Sequence, residues 1–420
     1  VFFKRKPIDF DSESLSAQTW RRFKRNKLSM LGLIIIGLSC VISILGYLIT
    51  PDPTPYANDQ KPELHIKQPG FVSKFLMVKK NEEVEKQSFI SDMLFGKIDK
   101  FSSFTIYNYF FKNQYVFVEE YTGNTENNKG TISKFNIADV VYAIDNKSPI
   151  KFDSLKQELS FYEVGNAQIT TKSILELQQQ IQKENIVTKK YLLGTDLLGR
   201  DLLSRLLIGT RISLSVGLVS VIISIFIGIL LGALAGYYRG KVDSGIMWLI
   251  NVVYSIPTTL LVIAITLVLG KGIIQVFIAV GLTMWVDVAR IVRGQILSIR
   301  EKEFVEAGRA LGFRNMRIIF RHILPNVLGP VVVMAASNFA FAILTEAGLS
   351  FLGIGAQPPI PSWGEMVNQH HGYILMDKAY LAFIPGIAIM ILVLSFMLVG
   401  NGLRDALDTR SLDDKPIGGS

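Results

Sequence analysis

Apolar and polar positions fall along this chain in long blocks. Residues 28–50, 208–237, 246–269, 273–292, 326–347 and 379–401 form runs with almost no charge. A helix rises 1.5 Å per residue, so about 20 such residues cross the roughly 30 Å of bilayer hydrocarbon. The pattern predicts six membrane helices in an all-α polytopic body. Pro51, Pro53 and Pro55 close the first run, because proline blocks helix continuation. Pro257 lies inside the third run, where a membrane helix tolerates a kink. Gly228, Gly232 and Gly236 recur every fourth residue in the second, a spacing that lets helices approach closely.

Residues 51–190 interrupt this body with a different pattern. Phe104–Phe111 and Tyr115–Tyr121 are rich in β-branched and aromatic residues, and Lys112 to Gln114 can turn between them. Thr131–Ile144 reads as a further strand region. Ser173 and Glu176 form a capping box before Ile174, Leu177 and Ile181, which share one helical face. A small α/β domain is expected, and about 140 residues suffice to bury its own core.

Charge orients the body. The chain of 420 residues has a net charge of +9, yet residues 51–190 hold 18 Lys against 18 Asp or Glu and no Arg. The excess therefore lies in the membrane part. One set of short loops carries Arg239 and Lys241, then Arg293, Arg300, Lys302, Arg309, Arg314, Arg317 and Arg321, then Arg404 and Arg410. The opposite loops carry Lys271 and Lys378. With Lys4, Arg5, Lys6, Arg21, Arg22, Lys24, Arg25 and Lys27 before the first helix, this is the positive-inside pattern, not a nucleic-acid surface. It predicts cytoplasmic termini and an extracytoplasmic insert. The first run is too long for a signal h-region and lacks an Ala-x-Ala exit, so a retained anchor helix is expected. Cys40 is the only cysteine, which rules out an intrachain disulfide.

The chemistry-bearing groups are few. No phosphate-binding Gly-x-x-x-x-Gly-Lys-Ser/Thr loop occurs, so ATP hydrolysis and any catalytic residue are not expected in this chain. His370 and His371 are adjacent but lack partners at metal-ligand spacing. Asp287 and Arg290 stand three apart in the fourth run and are expected to pair or to snorkel. Glu346 lies near the outer end of the fifth. Asp196 or Asp201 is placed to cap the second membrane helix, with Arg200, Arg205 and Arg211 at the membrane boundary. Ser362 and Glu365 form another capping box, and Trp363 suits an interfacial anchor.

Glu303–Pro325 is the most informative polar segment. Glu303 to Leu311 predicts a short helix with Ala307 and Ala310 on a small-residue side. Gly312 is suited to end it, and Asn315 to Ile323 predicts a second helix before Pro325 opens the next crossing. Such a hairpin fits either a groove on another protein or, through its arginines, anionic headgroups. It also resembles the EAA loop of ABC-importer permeases, whose pattern is Glu-Ala-Ala, three residues, Gly, nine residues, Ile-x-Leu-Pro. Glu306, Ala307, Gly312, Leu324 and Pro325 match at that spacing, with Gly308 for the second Ala and His322 at the Ile position.

The resemblance extends to Gly194-Thr195-Asp196-Leu197-Leu198-Gly199-Arg200-Asp201, to Gly348–Gly353 with Pro361–Gly364, and to Gly402–Asp408 followed by Thr409 where Pro is usual. Together these are similar to the C-type permease of dipeptide, oligopeptide and nickel ABC importers. The resemblance implies a type I importer-like six-helix fold in the bacterial inner membrane. It implies a homologous B-type permease partner, two ATPase subunits that use ATP and Mg, and an extracytoplasmic substrate-binding protein. This chain itself would bind no cofactor, metal or nucleic acid, and would contact membrane lipid. The implied docking residues for the ATPases are Glu306, Ala307, Gly312, Leu324 and Pro325. The expected organisation is a basic segment 1–27, the first helix 28–50, the insert 51–190, a permease core 191–402 containing the EAA-like loop 296–325, and a tail 403–420. Peptides are the expected cargo, with nickel or another small solute as the alternative within the family. A secondary transporter would need coupling-ion ligands near the midplane, and a membrane-anchored binding protein would leave the loop unexplained.

Overall fold

The computed structural model describes residues 15–83, 87–124, 128–145, 148–166 and 168–408. Lys4, Arg5, Lys6, Thr409 and Arg410 lie outside the described residues. The chain opens with two helices, α1 (Leu15–Arg25) and α2 (Lys27–Ile49). Asn26 separates them, and its side chain accepts the Ser29 N–H as the N-cap of α2.

The insert follows. Its elements are β1 (Phe71–Lys79), α3 (Phe89–Phe95), β2 (Phe101–Lys112), β3 (Tyr115–Glu120), β4 (Ile132–Asn136), α4 (Ile137–Val141), β5 (Lys151–Asp153), β6 (Glu158–Tyr162), β7 (Ile169–Ser173), α5 (Ile174–Gln180) and β8 (Ile186–Tyr191). Five strands form one sheet in the order β4-β3-β2-β1-β8, and β5-β6-β7 form a second. Every strand pair among the described residues is antiparallel. The expected β2–β3 hairpin is present, turned at Asn113 with φ +53°. Thr131–Ile144 is not one strand. Asn136 accepts the Ala138 N–H and starts α4, so the stretch bends from strand to helix. The core lies between the large sheet (Leu76, Ile106, Val116, Val118), α4 (Ile137, Val140) and α5 (Ile174, Leu177), all buried. The polytopic body therefore carries a substantial β component near its N-terminus, and "all-α" holds only for the helices that follow.

Those helices are α6 (Leu202–Tyr238), α7 (Gly240–Tyr254), α8 (Thr258–Leu269), α9 (Ile273–Ile299), α10 (Glu303–Ala310), α11 (Asn315–Arg317), α12 (Leu324–Phe351), α13 (Trp363–His370) and α14 (Tyr380–Leu407). A wide turn over Ile318–Ile323 joins α11 to α12, so the chain is helical from Asn315 to Phe351. Among the described residues, five helices are long and apolar enough to cross a membrane, and α7 with α8 makes a sixth if the bent pair is one span. The single kinked crossing expected over 246–269 is instead two helices meeting at 88°. Pro257 accounts for the break, since its ring and missing N–H interrupt the helical ladder.

The glycine stripe fixes how these helices pack. A Cβ at Gly228 would lie 2.5 Å from the Val288 Cβ, one at Gly232 2.8 Å from the Val292 Cβ, and one at Gly236 2.9 Å from the Ile296 Cβ. Residue numbers rise together, so α6 and α9 run parallel. The α7–α8 pair must then carry the chain back beside the C-terminal part of α6, which faces α9. The insert joins the start of α6 and the 303–325 hairpin abuts its end, so the two lie at opposite ends of the bundle. Facing outward are exposed apolar side chains such as Ile34 (61 %), Phe226 (70 %) and Val268 (86 %), as a lipid-facing surface requires.

Replacing Gly232 by Val inserts a branched side chain where its Cβ alone meets the Ala289 carbonyl at 2.5 Å. We expect about 1–3 kcal/mol of destabilisation from overpacking. It should appear as a lower melting temperature of the purified protein in detergent, whereas Gly245→Ala, inside α7 at a position with open space, should melt no lower than the parent.

Candidate functional site at the two ends of the bundle

The hairpin end is built on a helix stop. Gly312 takes φ +76°, the left-handed conformation that glycine adopts without strain. The Phe313 N–H donates to the Gly308 carbonyl and the Gly312 N–H to the Arg309 carbonyl, the paired bonds of a Schellman ending. The chain thus reverses, and α10 packs back on the helix that starts at Asn315. Val305, Ile318, Ile319 and Ile323 bury against Tyr237 of α6 and Val292 and Ile296 of α9. The Tyr237 hydroxyl donates to Asn315 Oδ1 at 2.9 Å, and the Arg300 guanidinium donates to the Tyr237 carbonyl. Arg293 grips Asp243 through two bonds of 2.5 and 2.7 Å, tying α9 to the start of α7. One flank of the hairpin is therefore welded to the glycine-packed pair.

The other flank is open. Glu306, Ala307, Ala310 and Gly312 are exposed, as are Phe304 and Leu311, the last at 72 %. Of the five expected docking residues, Glu306, Ala307, Gly312 and Pro325 are exposed and Leu324 is half-buried beside the Val327 and Ile323 cluster. At Gly308 a Cβ would meet Phe313 at 3.5 Å and Ile318 at 3.9 Å, ordinary contact. His322 stacks on Phe313, with ring centroids 5.7 Å apart, filling the hairpin's inside corner.

At the insert end the Gly194–Asp201 segment forms a buried polar latch. Asp201 is the N-cap of α6, accepting the Ser204 N–H at 2.8 Å, and Ser204 Oγ in turn accepts the Asp52 N–H at 3.0 Å. Asp196 Oδ1 accepts the Leu198 and Arg200 N–H groups, while Oδ2 takes Arg200 Nε at 2.6 Å and lies 3.6 Å from Arg205 Nε. Arg200 reaches on to Asn58 and Gln369, and Arg205 lies 3.5 Å from Glu365. Gly199 is obligatory here, since a Cβ would fall 1.7 Å from the Lys61 carbonyl oxygen. Burial raises the Asp201 and Glu365 carboxyls above their ordinary values; bonds from Ser204 pull Asp201 back down, and Arg205 does the same to Glu365.

Several sequence expectations change here. Arg200 and Arg205 are 1 % exposed, so they are core groups rather than boundary residues. Arg211 does sit at the rim, closing the last turns of α2 and α3 through the Ser43, Ile44, Met93 and Leu94 carbonyls. Trp363 is 4 % exposed and donates its Nε1–H to the Leu206 carbonyl, which excludes an interfacial anchor. Ser362 caps α13 as expected and also donates to Glu346, which takes a second bond from Ser350. Arg290 stacks on the Tyr254 ring at 3.8 Å and does not pair with Asp287. Among the described residues no group of three His, Cys, Asp or Glu could hold a metal ion.

An apolar multi-span bundle with a β-rich insert at one end and a polar helical hairpin at the other defines a polytopic membrane protein. Residues 228–412 match the family of binding-protein-dependent transport system inner membrane components, and residues 14–69 match the N-terminal TM domain of oligopeptide transport permease C. The chain is 44 % identical over 218 residues to the glutathione transport system permease protein GsiD of Pectobacterium atrosepticum, covering 52 % of this chain and 72 % of that one. It is 41 % identical over 217 residues to the dipeptide transport system permease protein DppC of Alkalihalophilus pseudofirmus, covering 52 % and 71 %. This chain belongs to the C-type permeases of peptide ABC importers and is a permease subunit of a binding-protein-dependent importer. Neither family match reaches residues 70–227, which contain every strand found among the described residues.

Two substitutions separate the ends. Gly308→Ala fits its space and removes a helix-interior glycine, so we expect about 0.5–1 kcal/mol of added stability. Arg205→Met leaves the buried Glu365 without its ion-pair partner, while Asp196 keeps Arg200, and the expected loss is about 3 kcal/mol. Thermal melts of the two purified variants should move in opposite directions.

Proposed function

We propose that the hairpin of residues 303–325 is the surface on which the importer's ATPase subunits dock, through Glu306, Ala307, Gly312, Leu324 and Pro325. The observation that carries this reading is the two-sidedness of the hairpin. Its inner flank is fused to α6 and α9, while its outer flank presents small residues with a carboxylate and arginines at the rim. A groove on a partner can seat that flank closely, and any push on it reaches two long helices without an intervening joint. ATP and Mg belong to the partner subunits in this scheme, and this chain holds neither.

The hairpin end then faces the cytoplasm and the insert, residues 51–190, faces the extracytoplasmic side. The arginine-rich short loops and the placement of the two features at opposite ends of α6 support that orientation. A homologous B-type permease completes the path, and an extracytoplasmic binding protein delivers the cargo. Dipeptides or oligopeptides are the cargo we assign, supported by the dipeptide and glutathione permeases among the relatives. The importer alternates between two states whose balance nucleotide shifts.

Glu306→Lys reverses charge on an exposed position that the hairpin does not use for its own packing. The variant should insert and melt like the parent yet co-purify with far less ATPase, with uptake lost in proportion. Undiminished ATPase in the pull-down would refute the docking assignment.

A further inference from the structure

The α7–α8 break lines an open cleft of about 480 Å³ on one face of the bundle, midway along α9. Its polar lining is Thr258, Thr283, Asp287, Ser337 and Asn338, with Tyr254 at one edge. A second cavity of about 550 Å³ shares Ser337 and continues toward the hairpin end past Gln295, Asn326 and Arg404. The two meet at Ser337 and make one trough of mixed polar and apolar lining beside α12. The contrast lies on the far side of α6, where a cavity of about 430 Å³ is lined by Ile222, Phe226, Leu230, Met316, Phe320 and other apolar residues alone.

Two groups in the trough lack what membrane depth normally demands. Asp287 is exposed within α9, six residues or about 9 Å inward along the helix from Arg293, the residue that pairs with Asp243. An aspartate is too short to snorkel that far. Among the described residues it has no ion pair and accepts no hydrogen bond, and Arg290 is occupied by the Tyr254 ring. Asn338 is 7 % exposed, and its Nδ2 has no hydrogen-bond partner. A lone carboxylate facing lipid is costly, whereas one facing a water-filled path is not. The break adds backbone polarity, because the first N–H groups of α8 have no intrahelical acceptor.

We propose that this trough is the part of the translocation path contributed by this subunit, and that Asp287 recognises the terminal ammonium of a passing peptide while Asn338 donates to a peptide carbonyl. An unpaired carboxylate near a spare amide donor matches a free amine followed by an amide carbonyl. It does not match a metal cation, for which the described residues offer no donor set. The amine assignment rests on the peptide reading given above; the path assignment does not.

The test uses the assembled importer with the sole cysteine removed (Cys40→Ser). Asp287→Cys should react with a charged, membrane-impermeant thiol reagent and be protected by dialanine, while Phe226→Cys should stay unreactive. An Asp287→Cys that never reacts, with or without nucleotide, means the carboxylate is packed against the partner permease and overturns the proposal. In uptake assays the parent should prefer dialanine over N-acetyl-dialanine. Asp287→Asn should reduce that preference about tenfold, the worth of a charged hydrogen bond, and Asp287→Glu should restore most of it. An unchanged preference in Asp287→Asn overturns amine recognition. A parent that moves neither peptide refutes the peptide reading and amine recognition with it, and the labelling still decides whether the trough is a path.

Discussion

Close packing of α6 on α9 is the constraint on which the rest of this molecule depends. Three glycines at fourth-residue spacing bring the α6 backbone against Val288, Ala289 and Val292, where a Cβ at Gly228 or Gly232 would lie within 2.9 Å of neighbouring atoms. In a bilayer no hydrophobic force draws helices together, so close van der Waals contact over a small-residue face has to do it. The consequence is topological as well as energetic. Two parallel neighbours require a return between them, and the return is the broken α7–α8 pair. The break in turn lines the open cleft midway along α9.

Both ends of the seam are fastened, by different means. At one end Tyr237 and the Val305–Ile323 cluster join the hairpin to α6 and α9 through apolar contact and one hydroxyl bond. At the other end a charged network of Asp196, Arg200, Arg205 and Glu365 joins α6 to the foot of the insert and to α13. Burying such a network costs desolvation that its pairing only offsets, so its value lies in geometry: full pairing is available in one arrangement. The seam behaves as a strut with a handle at one end and a fixed collar at the other. Under the docking proposed above, the handle is where force enters and the collar is where the insert and α13 would feel it.

Much of this was legible in the chain. Runs of about 20 uncharged residues gave the crossings, Gly312 gave the hairpin turn, and Ser173, Asp201 and Ser362 were readable as caps because capping is local chemistry. What escaped depends on tertiary partners. Trp363 resembles an interfacial anchor until Gly209 provides the flat surface that buries it. Asp196 stands only four residues from Arg200, but nothing local marks Glu365, 160 residues from Arg205, as a partner, so the two arginines look like boundary charges. The Pro257 kink was foreseeable, but its 88° sharpness was not, since hydropathy does not register direction. Asp287 was misjudged for a related reason. The apolar run stops near residue 292, but the helix continues to Ile299, which moves the carboxylate away from the helix end.

The central claim is that the hairpin and the glycine-packed pair move as one body. Uncharged, membrane-permeant spin labels at Leu311→Cys in the hairpin and Phe226→Cys on α6, both exposed positions, report it directly once Cys40 is removed. Their distance distribution, measured in the assembled importer without nucleotide and with a trapped ATP state, should keep the same mean and width. A shift or broadening of that distribution on nucleotide binding would mean that the hairpin swings on its own and that the strut account is wrong.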